Sequence, residues 1–289
     1  MTAASEGDRT AATSGDPAVE AKSMTFWEHL DELRRRLVWS ITAFFVACGA
    51  AWAVREELLA WLVKPFADSW AAQHLPGPAT LHFGAPGAAF VAYLKLSMIG
   101  GVALAAPMIF YQLWSFVAPG LYAKEKRYVI PFVLASSSLF VGGGYFGWRA
   151  AFPLAFNYFL GMSGTVGGQG VTITPTVMIG EYLDFVMQML LAFGVVFEIP
   201  LFITFLAMAG VVTYLSLFRF GRWFVLIAFV VAAVMTPPDV TSQLLMAVPM
   251  CLLYFLSIGL AYLFGRKPTP EELADYRRNK KRKPASDEG

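Results

Sequence analysis

The chain reads as an all-α protein that crosses a bilayer six times. Of its 289 residues 57% are hydrophobic, and only 15% are charged, against about 25% in soluble domains. The charges it has are bunched between long uncharged runs. Roughly 20 apolar residues cross about 30 Å of hydrocarbon, and six such runs fit the gaps.

Residues 1–23 are rich in Ala, Ser, Gly and Thr, with no apolar stretch that would make a signal peptide. Glu6, Asp8, Asp16 and Glu20 argue against an organellar transit peptide. A disordered tail is expected there, followed by a single membrane domain over 24–265 and a basic, polar tail over 266–289. The segment TFWEHLDELRRRL (25–37) has the pattern of an amphipathic helix. Thr25 and Glu28 form a capping box, and Phe26, Leu30, Leu33 and Leu37 make one apolar stripe. Such a helix is expected to lie on the membrane surface and run into the first span. Taken alone, Asp31–Arg35 and Glu32–Arg36 equally suit ordinary i,i+4 pairs on a solvated face.

The spans follow as 37–54, within 96–117, within 128–148, 183–212, within 217–235 and within 244–264. Residues 149–180 contain Pro153, Pro175 and a Gly-rich run, so a loop with short helices is expected there. Cys48 and Cys251 both sit in apolar runs and read as small core residues. With six spans, 18 of the 22 Lys and Arg residues fall on one side; Arg55, Lys64, Lys95 and Arg149 fall on the other. Positive residues stay in the cytoplasm, which predicts that both termini are cytoplasmic. The fourth run is long and must tilt or protrude. Only 14 residues separate Arg222 from Pro237, about 21 Å of helix. Either the fifth span borrows from its basic end or thins the bilayer, giving a cup-like molecule with short fifth and sixth helices, or Arg219 and Arg222 snorkel beside a helix of ordinary length.

Within 107–128, Tyr111, Trp114, Phe116 and Tyr122 suit an interfacial belt. Pro119-Gly120 breaks the helix, and Glu125 stands between Lys124 and Lys126-Arg127. Glu198 lies about 15 residues from either end of the fourth run. A charge at such depth costs about 3 kcal/mol, so it needs a polar partner or a protonated carboxyl. MTPPDVTSQ (235–243) places Thr236, Asp239, Ser242 and Gln243 at the far end of the last two helices, either as a polar spot inside the hydrocarbon or as a plain hairpin loop.

Enzyme signatures are missing. His29, His74 and His82 lie outside the charge-free spans, and the chain has neither an HExxH zinc motif nor a GxxxxGK[ST] phosphate loop. No cofactor, metal or nucleic-acid partner is expected. The main alternative from the residues is an ion-coupled secondary transporter working through Glu198, although the two halves show no clear repeat. An intramembrane hydrolase lacks the His and Asp arrangements it would need.

Five segments, HLDELRRRL (29–37), APMIFYQLWSFVAPGLYAKEKR (106–127), FPLAF (152–156), AFGVVFEIP (192–200) and MTPPDVTSQ (235–243), occur in an order that resembles the TatC family, the multi-spanning core of the twin-arginine protein translocase. The resemblance covers about Phe26 to Gly265 and departs from the usual pattern at Asp31 and at Thr241-Ser242. It implies a bacterial inner-membrane protein, not an enzyme, that binds the Arg-Arg signal peptides of folded cargo. It also implies recruitment of TatA- and TatB-like single-span partners, export driven by the proton-motive force, and assembly into a homo-oligomeric receptor complex. On this resemblance Glu32 and Glu125 form the arginine-binding patch, with Arg34 and Phe116 beside them. Glu198, Thr236 and Gln243 take partner helices, and Pro65, Pro119 and Asp239 are structural or loop positions. Two carboxylates suit two guanidiniums through bidentate bonds, a geometry that lysine cannot match.

Overall fold

The structure, a computed structural model, describes residues 26–117, 129–166, 171–236 and 239–281. Pro119, Glu125 and Thr25 therefore lie outside the described residues. Six helices are long and apolar enough to cross a membrane, and they account for every expected span.

Helix α1 (Phe26–Ala53) joins the amphipathic segment and the first span in a single helix. The segment thus forms the opening turns of the spanning helix, into which it runs without a break. The apolar stripe is real: Leu30, Leu33 and Leu37 are all exposed, pointing away from the protein as lipid-facing residues do. Helix α2 (Arg55–Ala72), inside what the sequence left as a loop, buries Leu62, Pro65, Phe66, Ser69 and Trp70. Those positions recur at helical spacing. Pro65 is therefore a buried helix residue and not a loop position.

The second span is α3 (Ala88–Val117). The third is α4 (Val129–Phe146), which runs on through a π-helical turn at Gly147–Ala151 into α5 (Phe152–Leu160). The third span is thus 32 residues long, 12 beyond the expected end at Trp148, because Pro153 falls in the first turn of α5, where a missing N–H costs nothing. The fourth span is α6 (Ile179–Phe197) followed by α7 (Ile199–Met208). They meet at Glu198, where Pro200 has no N–H for the helix ladder and the Glu198 N–H turns to Val195 O at 3.1 Å.

The last spans, α8 (Tyr214–Met235, 22 residues) and α9 (Val240–Phe264, 25 residues), are the two shortest of the six. Helix α8 reaches bilayer length by starting eight residues before Arg222, behind a Thr213–Ser216 capping box. Of the two readings left open, the helix thus has ordinary length, taking its basic end with Arg219 and Arg222 into the span. A final helix, α10 (Pro270–Lys281), follows in the tail; Thr269 and Glu272 cap it reciprocally. Among the described residues the all-α plan is broken only by very short strands: β1 (Leu81–His82) pairs in parallel with β4 (Val177–Met178), and β2 (Gly164–Val166) pairs antiparallel with β3 (Val171–Ile173).

In packing order the spans run first, second, third, fourth, sixth, fifth: α1 lies on α3, α3 on α4, α4 on α6, α7 on α9 and α9 on α8. In lipid, close backbone approach replaces the hydrophobic drive between helices. A Cβ on Gly101 would come within 2.4 Å of Cys48 Sγ, and one on Gly143 within 2.5 Å of Phe193 O, so these glycines set the α1–α3 and α4–α6 crossings. The largest core cluster joins Leu62 and Phe66 of α2, Leu96 of α3, Phe152 and Phe156 of α5, and Leu183 and Val186 of α6. It sits at the end opposite the one where α1 begins and α9 finishes, hereafter the basic end.

Candidate functional site

At the basic end, α1 presents Glu32, Arg36 and Ser40 as its half-buried positions. They are four residues apart and so share one face, on a helix whose main neighbour is α3. The Arg36 guanidinium donates Nε–H to Glu32 Oε1 at 3.0 Å, and its Nη2 reaches the same oxygen. The two side chains are only 17% and 12% exposed, so this is a partly desolvated, charge-assisted pair and more than a solvated-face contact. Asp31 and Arg35 show no such pairing among the described contacts. One turn before Glu32, the His29 ring stacks on Phe116 at the end of α3, with centroids 4.4 Å apart. Glu32 and Phe116 are thereby brought to one α1–α3 contact. Arg34 is exposed and stands off it. Sequence reasoning missed His29, which it set aside for lacking a catalytic partner. Its signal was position, one turn from the acid and at the start of the same motif.

Glu198 is the twentieth residue of a 30-residue span, closer to the basic end than the middle placement expected from sequence. The helix starts and stops four residues earlier than the charge-free run suggests, and this moves the acid off centre. Its neighbour is α4, where the Ser136 hydroxyl stands beside the Glu198 carboxyl and accepts from Trp114 Nε1 at 2.7 Å. Trp114 and Phe132 pack beside it, each meeting Phe205 edge to face. Glu198 Oε1 remains buried with no hydrogen-bond partner.

Thr236 and Gln243 form a second, separate polar place. Thr236 is 6% exposed and returns its hydroxyl to Ala232 O at 2.8 Å. Gln243 crosses from α9 to α8, donating to Phe229 O at 3.0 Å. Asp239 caps α9 by accepting from the Ser242 N–H at 2.8 Å. Gln188 of α6, which the sequence reading passed over, reaches Val234 O at 3.5 Å and Met235 Sδ at 4.0 Å. An uncharged amide inside an uncharged run was its signal, and a search for charges overlooks it. Gln188 and Glu198 are ten residues apart, about 15 Å along the helix, so the structure does not bring Glu198 together with the Thr236–Gln243 patch. Among the described residues no three His, Cys, Asp or Glu side chains gather as a metal site requires.

Residues 28–249 match the family model for the Sec-independent protein translocase protein TatC. The chain is 42% identical to the Sec-independent protein translocase protein TatC of Desulforapulum autotrophicum, over 88% of this chain and 90% of that protein. It is 38% identical to that of Koribacter versatilis, over 87% and 93%. A crystal structure described as the twin arginine translocase receptor TatC matches with a TM-score of 0.71 and 37% identity, covering 83% of this chain and 100% of that one.

Proposed function

The chain belongs to the TatC family of Sec-independent protein translocase proteins, and from that premise we propose that it reads twin-arginine signal peptides at its basic end and gathers single-span partners through its spans. It is a multi-pass membrane component of a bacterial protein translocase and not an enzyme, which removes the secondary-transporter alternative. The Glu32–Arg36 pair carries the proposal. It supports a carboxylate already placed, shielded and oriented to take a guanidinium, so a signal-peptide arginine needs only to exchange with Arg36. Glu125, nine residues after Phe116 in the sequence, supplies the second carboxylate. His29 and Phe116 give the apolar wall against which the stem of an arginine packs.

On this reading both termini are cytoplasmic, and the chain sits in the inner membrane. Glu198, with one unpaired oxygen, and the Gln188–Thr236–Gln243 group are two landing places for polar residues of TatA- and TatB-like helices. Several copies assemble around the cargo, and the proton-motive force drives export. The deciding experiment is photo-crosslinking of the full chain to a signal peptide carrying Arg-Arg or Lys-Lys. A strong Arg-Arg product that disappears with Lys-Lys supports the reading; equal products overturn it. For orientation, cysteines placed at Ser14 and Ser286 should react only with reagents admitted from the cytoplasm.

A further inference from the structure

At the end opposite the basic one, α2, the π-helical turn and α5 line a half-open cavity of about 420 Å³, a size typical of small-ligand sites, which the translocation reading does not use. Lys64 of α2 and Arg149 of the π-helical turn bring two cations to it. Asp68, one turn after Lys64, brings an anion, and Pro65, Ser69 and Asn157 complete the wall.

Three features distinguish it from an idle crevice. The charges are not neutralised by one another: among the described residues neither Lys64, Arg149 nor Asp68 forms an ion pair. Asn157 Oδ1 is buried and lacks a hydrogen-bond donor, a state native structures seldom leave without a purpose. The extra residue of the π-helical turn lets the consecutive residues Trp148 and Arg149 both line the cavity, and such insertions concentrate at functional sites. Depth is set by the neighbouring aromatics. Trp148 stacks on Trp61 with centroids 4.3 Å apart and donates to Trp61 O at 3.2 Å, and tryptophans of this kind mark the headgroup layer. A third span of 32 residues is about 48 Å long, so its α5 end stands in that layer.

We propose that this cavity binds a phosphoamine zwitterion, with the phosphate between Lys64 and Arg149 and a primary ammonium donating to the Asp68 carboxylate and Asn157 Oδ1. The headgroup of an aminophospholipid carries this chemistry, and so does soluble phosphoethanolamine. A choline headgroup has no N–H to give, and a glycerol headgroup can offer only neutral hydroxyls, so neither supplies a charged donor to the Asp68 carboxylate.

Native mass spectrometry of the full chain, released from detergent and titrated with dioleoyl phosphatidylethanolamine, phosphatidylcholine or phosphatidylglycerol, tests this. Phosphatidylethanolamine should be retained about tenfold better than either of the others, as a pair of charge-assisted bonds allows. Lys64→Gln with Arg149→Gln should abolish that advantage; both residues are exposed, and an unchanged melting temperature confirms the fold. Asp68→Asn with Asn157→Leu should bring phosphatidylethanolamine down to the phosphatidylcholine level. Equal retention of the three lipids by the wild-type chain, or undiminished preference in the Lys64/Arg149 variant, overturns the proposal. Competition with free phosphoethanolamine separates the sources. Displacement at comparable concentration assigns the site to a soluble ligand, and failure to displace assigns it to the lipid.

Discussion

Glu32 and Glu198 are both carboxylates on long apolar helices, yet the protein treats them in opposite ways. Glu32 is met by a guanidinium from its own helix, one turn away. Glu198 has one carboxyl oxygen buried with no hydrogen-bond partner. A satisfied acid near the helix end can trade its partner for an equivalent one at little net cost. An acid short of a donor inside a span is stable only if a donor arrives, because an unpaired polar group in hydrocarbon is costly. The difference separates two tasks, exchange at the surface and completion within the membrane.

The largest effect should come from the incomplete site. Glu198→Ala should block export of a twin-arginine reporter while signal-peptide crosslinking stays within about twofold of wild type. Loss of crosslinking in a folded variant, or export at the wild-type rate, would break the division between the two acids. Next in size is Glu32→Gln. Charge-assisted bonds contribute about 1.5–3 kcal/mol each, so affinity for an Arg-Arg peptide should fall roughly 10- to 100-fold, measured by fluorescence titration. The same fall is expected at Glu125.

A sharper version of the comparison lies in Arg36. If it occupies the place an incoming arginine takes, Arg36→Gln removes a competitor, and peptide binding should strengthen about two- to tenfold, in proportion to a pair of modest worth. Weaker binding would instead make Arg36 part of the recognition surface. The smallest effect belongs to Gln188→Leu. A single interhelical hydrogen bond in a membrane is worth about 0.6–1.7 kcal/mol, so partner-helix crosslinking near Gln243 should drop roughly 3- to 15-fold, with Glu198-dependent contacts unchanged because the two places are a long way apart on the fourth span.

Much of this was legible in the residues. Span number, the basic asymmetry and the presence of a lone acid, Glu198, inside the fourth span all follow from charge gaps. Helix α2 was missed although its buried positions keep helical spacing, because Pro65 and five charged side chains within 55–72 mask the pattern from a search tuned to membrane spans. The length of the third span was missed because Pro153 reads as a breaker until its place in the first turn of α5 is known. The amphipathic start of α1 was legible too, and it runs straight into the first span. Composition shows that a helix is amphipathic, but not which neighbour takes its polar face. The separation of Glu198 from Thr236 and Gln243 depends on helix stagger, which no single segment encodes.

The internal Glu32–Arg36 pair also bears on how the protein is made. Synthesis delivers α1 first, and its principal neighbour α3 begins only at Ala88, after α2 and the loop beyond it. During that interval the first helix has no α3 to pack against. Its outward leucines already suit lipid, and its acid and base, on the same helix one turn apart, neutralise each other without outside help. The first helix is thus equipped to wait for the rest of the molecule, and the contact at Gly101 and Cys48 can form whenever α3 arrives.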